Sequence, residues 1–302
     1  MALEPAKSFA LGLLAVAMLM VQTGPGIAAE PIADSSSGPW SVFGGKASRQ
    51  RSELIEVLPL GRLTPSARDQ ITRITDSPTL YRRLPKQAIA ADRDLFLYMT
   101  RNPEIIVGMW ELMGITQVQT QRVGPYQLDA EDGAGTKCRI DLLYGDQNLH
   151  IYYADGSYDG RYVSKPIQGQ GIFVLRSEYA EAADGSTTVM GTLDCFVKFD
   201  SLGADLVART MSGLIGRSAD HNFNETAKFI SQVSQACETK PTSMLDMAEQ
   251  LPQVSQPVQT QFARLIVQAA RKADARAAST MPPKISSTES RQSVHPAMTS
   301  QR

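Results

Sequence analysis

The sequence predicts an α+β fold: a curved antiparallel sheet of about six or seven strands packed on a long C-terminal helix, with an N-terminal helix and a C-terminal helical extension added. Three observations carry this. Between residues 116 and 200 apolar and polar residues alternate, as in "TKCRIDLLY", where Cys138, Ile140, Leu142 and Tyr144 share one side and Lys137, Arg139 and Asp141 the other. That is the pattern of a half-buried antiparallel strand. After Phe199 the period becomes helical, with Leu206, Val207, Met211, Leu214 and Ile215 followed by Phe223, Phe229, Ile230 and Val233. Ahead of the strands, "NPEIIVGMWELMGI" at 102–115 reads as a short helix with almost no polar face, which must cover an apolar surface.

At the N-terminus, Lys7 precedes the apolar run "FALGLLAVAMLMV" at 9–21, and small and helix-breaking residues follow in "QTGPGIAAEP". A basic start, a short apolar stretch and small residues at Ala28 and Ala29 are the three parts of a secretory signal, with cleavage expected after Ala29. The run is short for a membrane-spanning helix, and no cysteine follows it to accept a lipid anchor. The mature chain is therefore expected outside the cytoplasm, periplasmic or secreted, without stable membrane insertion once residues 1–29 are removed. Residues 30–53, rich in Ser, Gly and polar side chains without periodicity, read as a flexible leader.

Residues 54–240 read as the folded domain. Thr64 and Pro65 supply a cap and a first-turn proline for a helix to about Thr75, with Ile71 and Ile74 on one side. "SPTLYRRLP" returns the chain to an extended form, and 86–90 is a short strand. Asp92 caps the next helix, Asn102 and Pro103 cap and open the one after it, and Gly114 ends it. Hairpins follow: one around Gly124-Pro125, one joining "TKCRIDLLY" to "LHIYY" through "GDQN", and one turning at Asp184-Gly185, a dipeptide suited to a primed turn. In the last arm Leu193, Cys195, Val197 and Phe199 are expected to face a helix beginning near Gly203. Residues 241–278 read as a linker and an amphipathic helix with Val258, Phe262, Leu265 and Ile266 on its apolar side, and 279–302 as a disordered tail.

Thirty basic against thirty-one acidic side chains leave no net field to draw nucleic acid, which is excluded as an expected partner. Cys138, Cys195 and Cys237 are far apart and odd in number, so at most one internal bridge can form, and buried unpaired thiols are the commoner reading of cysteines on apolar faces. Catalytic signatures are missing: there is no GxSxG elbow, Walker loop, HExxH or CxxC, and no catalytic residue, metal ligand or cofactor is expected. "DGAGT" at 132–136 reads as a turn with glycines at strained positions. His150 reads as a strand-face residue, Asp220, His221 and Glu225 as a capping cluster at a helix start, and Asp155 and Asp159 as a solvated turn.

The element order, together with the strand-to-helix join "LDCFVKFDSLGADLV", resembles the START-like helix-grip family of lipid-transfer, polyketide-cyclase and related ligand-binding domains over about residues 84–238. It is also similar to a domain of uncharacterised exported bacterial proteins. The resemblance implies a sheet that wraps its last helix and leaves a cavity between them. Methionine adapts its shape and aromatic rings supply contact area, so Met109, Trp110, Met113, Tyr144, Tyr152, Phe173, Phe196 and Met211 are the candidate cavity lining. The expected function is binding of a lipid or other apolar small molecule by an exported protein. A structural or interaction protein of the cell envelope is the second reading, and a cyclase-like or hydrolytic enzyme the third.

Overall fold

The computed structural model describes residues 45–160, 165–200 and 212–280. The signal sequence, the start of the helix expected near Gly203, with Leu206, Val207 and Met211, and the tail from 281 lie outside the described residues. Helix α1 (Gly45–Val57) and a short 3-10 turn (Leu60–Arg62) lead into α2 (Pro65–Thr75), whose first turn is capped by the Thr64 hydroxyl accepting from the Ala67 N–H. Strands β1 (Leu80–Arg83) and β2 (Gln87–Ala90) precede α3 (Arg93–Arg101) and α4 (Glu104–Leu112). The meander comprises β3 (Gln119–Gly124), β4 (Gln127–Glu131), β5 (Thr136–Gly145), β6 (Leu149–Tyr158), β7 (Ile167–Glu181) and β8 (Thr187–Phe199). Helices α5 (Ser212–Thr239), α6 (Pro241–Glu249) and α7 (Gln256–Thr280) close the chain.

Local chemistry places most boundaries where the sequence does. Asp92 Oδ1 accepts from the N–H groups of Asp94 and Leu95 at 3.0 and 3.1 Å and so starts α3. Gly114 takes φ +67° and ends α4, with Ile115 N bonded to Trp110 O. Asn102 corrects the expectation, since its side-chain amide turns back to the Tyr98 carbonyl and leaves the start of α4 without a side-chain cap. A second correction is α1, a helix where the sequence reads as flexible leader up to residue 53.

All strand pairs are antiparallel, in the order β1-β8-β7-β6-β5-β4-β3, with β2 also paired to β8. Eight strands thus occupy seven positions, because one edge position is split. Pro85 has no N–H to give, and only Leu84 N to Leu193 O at 2.8 Å continues the ladder between β1 and β2. Leu193, Cys195, Val197 and Phe199 face inward as expected, in a core that includes Phe223 and Ile230 of α5.

Both faces of the central strands are covered. On the inner face Tyr152, Phe173, Leu175 and Cys195 meet Leu95 and Met99 of α3, Met109 and Trp110 of α4, and Phe262 and Ile266 of α7. On the outer face Tyr81, Ile151, Tyr153, Ile172, Val174 and Phe196 meet Leu54 and Leu58 of α1 and Ile71 and Ile74 of α2. Each such aliphatic side chain stabilises the fold by roughly 1.5–3 kcal/mol on burial. Alternation predicts one wet face, but from β6 to β8 that expectation holds only beyond the reach of α1 and α2. No helix among the described residues is long and apolar enough to cross a membrane.

Candidate functional site

The candidate cavity lining divides between the two faces. Met109, Trp110, Tyr152 and Phe173 share the inner core, each at most 5% exposed. They are packed against one another's neighbours: the Trp110 ring lies 5.5 Å from that of Phe229, and the Tyr152 hydroxyl donates to the Thr100 carbonyl at 2.7 Å. Phe196 is a correction, since the alternation that turns Cys195 inward turns Phe196 outward, where its ring sits 4.8 Å from Tyr81. Tyr144 is another. The register of β5 shifts between Leu142 and Tyr144, which puts Leu142 against the inner core and Tyr144 against the outer one, with its hydroxyl on Asp146 at 2.8 Å. Met113 is 52% exposed beyond the end of α4, and Met211 lies outside the described residues.

Open space lies elsewhere. Strand register brings Thr120, Ala130, Cys138, Gly156 and Gly169 into one row across β3, β4, β5, β6 and β7. A side chain at Gly156 would come within 2.7 Å of Cys138 Cβ, so only glycine lets β5 and β6 approach there. On β4, β5 and β6 the next row is larger, with Leu128, Ile140 and Ala154, while β7 keeps a glycine at Gly171; the row after it holds Leu142, Tyr152 and Phe173. Four members of the small row, Thr120 to Gly156, line a groove of about 910 Å³ that is also bounded by Gln253, Val254 and Ser255 of the α6–α7 connection. No local sequence pattern announces this row, because it exists only once five strands are in register.

Gln253 fixes that connection. It is the non-glycine residue with positive φ, 63°, among the described residues. Its amide oxygen accepts from both the N–H and the hydroxyl of Thr120, and its nitrogen donates to the Val118 carbonyl at 3.4 Å and to Glu111. The amide thus satisfies the outward peptide groups of edge strand β3 much as another strand would.

Charges at the groove are matched within the protein. Arg122 forks onto Glu104 at 2.6 and 2.7 Å, Arg139 onto Asp129 at 2.7 and 2.8 Å, and Lys137 reaches Glu131 at 3.1 Å. The Arg139 guanidinium holds the Asp129 carboxyl below its usual range. Cys138 is buried, which pushes its thiol up to about 12, so it is not poised as a nucleophile. All three cysteines are free and buried.

Other polar features have structural roles. His150 is fully buried on β6, and burial, aided by Arg101, lowers it to about 4. Asp220 pairs with Arg82 and Glu225 with Lys228 in the middle of α5, so these residues do not cap a helix start. Asp155 lies on β6 and accepts from Tyr153 and Gln170, which corrects the reading of a turn there. In the 132–136 turn Gly133 and Gly135 take φ +69° and +115°, and Asp132 accepts from Ala134 and Thr136. A second groove, about 830 Å³, runs between the β7–β8 turn, α5 and α7, where Lys272 bridges Asp92 and Asp94 and Arg276 pairs with Glu238. No cluster of metal-ligating side chains occurs among the described residues.

No family model matches the chain, and no curated protein does. Among solved structures it is similar to a conserved protein from Geobacillus kaustophilus, at 11% identity over 49% of this chain and 93% of that one, with a TM-score of 0.35. Ara h 8.0201 shares 11% identity over 47% of this chain and 97% of its own, with a TM-score of 0.27. Dicamba monooxygenase with non-heme iron and dicamba shares 13% over 72% of this chain and 64% of its own, at 0.31. TM-scores this low carry no argument about ligand or activity.

Proposed function

We propose that the protein is a binding module that holds a small amphipathic molecule in the groove along Thr120, Ala130, Cys138 and Gly156. The observation that carries this reading is the row itself: four strands in register present small side chains, and the groove beside them, about 910 Å³, has the size of a small-molecule site. Ala130 and Cys138 are buried in the inner core, so Val254 and the aliphatic stems of the lining side chains suit a hydrocarbon part, and the surrounding amides and hydroxyls a polar one. This keeps the lipid-binding reading and moves its site from Trp110 to the small-residue end of the sheet. Export belongs to the same proposal, with residues 1–29 removed and the mature chain extracytoplasmic; N-terminal sequencing that found Met1 retained would refute it.

Titration with the neutral fluorophore N-phenylnaphthylamine tests the site. Saturable binding is expected, weakened about tenfold or more in Ala130→Leu, with far-UV circular dichroism confirming that the variant is folded. A wild type that binds no such probe, and releases no small molecule in native mass spectrometry after purification from its own host, would favour the second reading, a structural or interaction protein of the cell envelope. The packed interior around Met109, Trp110, Tyr152 and Phe173 is the observation that favours that alternative.

A further inference from the structure

Granted the groove as a binding site, we propose that its ligand carries an uncharged, hydroxyl-bearing head in place of a carboxylate, phosphate or ammonium. Every cation that lines the groove is already committed. Arg122 spends its Nε and Nη2 on Glu104 and its Nη1 on the Pro125 carbonyl at 3.0 Å. Arg139 is held on both oxygens of Asp129, and Lys137 lies on Glu131. An anionic head gains little here: taking Arg122 would leave the buried Glu104 carboxylate without its partner, and Arg139 and Lys137 are exposed and already paired, where a further ion pair contributes little.

The uncommitted groups are of a different kind. Gln119 and Gln121 on β3 and Gln168 on β7 line the groove and make no hydrogen bond through their side chains among the described residues. A primary amide offers donors and an acceptor without a charge to desolvate, and a hydroxyl both donates and accepts, so adjacent hydroxyls of a sugar or polyol complement such amides. Asp155 lacks a cation partner, yet it is exposed to solvent and its Oδ2 already accepts from Tyr153 and Gln170. Its remaining oxygen is another acceptor for a hydroxyl, while its exposed charge is screened by water and salt.

Three probes with the same alkyl tail separate the possibilities: octyl glucoside, octanoate and octylammonium, each titrated calorimetrically below its micelle concentration into the full-length mature protein. The glucoside is expected to bind about tenfold or more tightly than either ion. Gln168→Arg, which adds an uncommitted cation on an exposed strand position, is expected to shift the preference toward octanoate. Octanoate or octylammonium binding as tightly as the glucoside would overturn the head assignment and leave the groove a binding site. Failure of all three to bind would remove the site itself, and the head assignment with it.

Discussion

The Nε of Arg101 donates to Nε2 of His150 at 3.2 Å, joining the last turn of α3 to strand β6 through a fully buried imidazole. That histidine stays neutral in the fold down to about pH 4, against an ordinary value of 6.5. Above the unfolded value both states are neutral and nothing is lost. As pH falls from about 6.5 to about 4 the unfolded chain takes up the proton first, so the fold loses up to about 3 kcal/mol, and the loss is constant at lower pH. The urea-midpoint gap between wild type and His150→Leu is expected to shrink across that window. Parallel midpoint curves would show that His150 does not titrate in this way.

Asp194, fully buried on β8, accepts from the Tyr81 hydroxyl at 2.7 Å, Arg83 Nε at 2.7 Å and Arg176 Nη2 at 2.9 Å. Arg83 also donates to the Gln50 carbonyl and so ties α1 to the network. Asp194→Ala leaves two guanidinium groups without their shared acceptor and is expected to cost about 3–5 kcal/mol in urea unfolding. A loss below about 1 kcal/mol would mean that water replaces the carboxylate at no strain.

Trp110 and Phe196 stand on opposite faces of the sheet, in separate cores. Trp110→Ala is expected to destabilise by about 3–5 kcal/mol without changing probe affinity at the groove. In double-mutant cycles its cost should add to that of Phe196→Ala within about 0.5 kcal/mol, whereas Phe196→Ala and Ile71→Ala, which share the outer core, should couple. Strong coupling of Trp110 to Phe196 would contradict the two-core arrangement.

At Gln253 two costs oppose each other. Removing the amide orphans the outward groups of Val118 and Thr120, about 1–3 kcal/mol, while glycine at this position relieves a left-handed backbone by about 1 kcal/mol. The expected order of melting temperature is therefore wild type, then Gln253→Gly, then Gln253→Ala. Glycine below alanine would show that the backbone there carries no such cost.

Much of this fold is legible in the sequence, and its departures have physical causes. Thr64-Pro65, Asp92 and Gly114 act through neighbours within four residues, so they read correctly as boundaries. Helix α1 does not, since its burial depends on Leu54 and Leu58 meeting strands far along the chain. A signal for the outer layer was present all the same. Ile151 to Ala154 and Ile172 to Leu175 are uninterrupted buried runs, and a strand buried on both sides has no alternation to show. Candidate lining residues chosen by type alone, such as Tyr144 and Phe196, fell on the wrong face because a register shift or a single step along a strand inverts direction. The groove was invisible for the opposite reason: Thr120, Ala130, Cys138 and Gly156 are unremarkable singly and become a site only as neighbours across four strands.

The pairing of β1 and β2 with β8 sets the order in which this molecule can be assembled. Arg83 and Asp194 are neighbours in the sheet but 111 residues apart in the chain. During synthesis the first two strands emerge long before the one they pair with, and their peptide groups remain with solvent until β8 arrives. The hairpins from β3 to β7 close over short distances and have no such wait. The outer core inherits the delay, because Phe196 and Asp194, on which α1, α2 and Tyr81 converge, are delivered by the last strand made. Closing so large a loop is slow relative to forming hairpins. A chain of this topology therefore stays pliable until almost its whole length is available, a property that suits any process that must handle it before it sets.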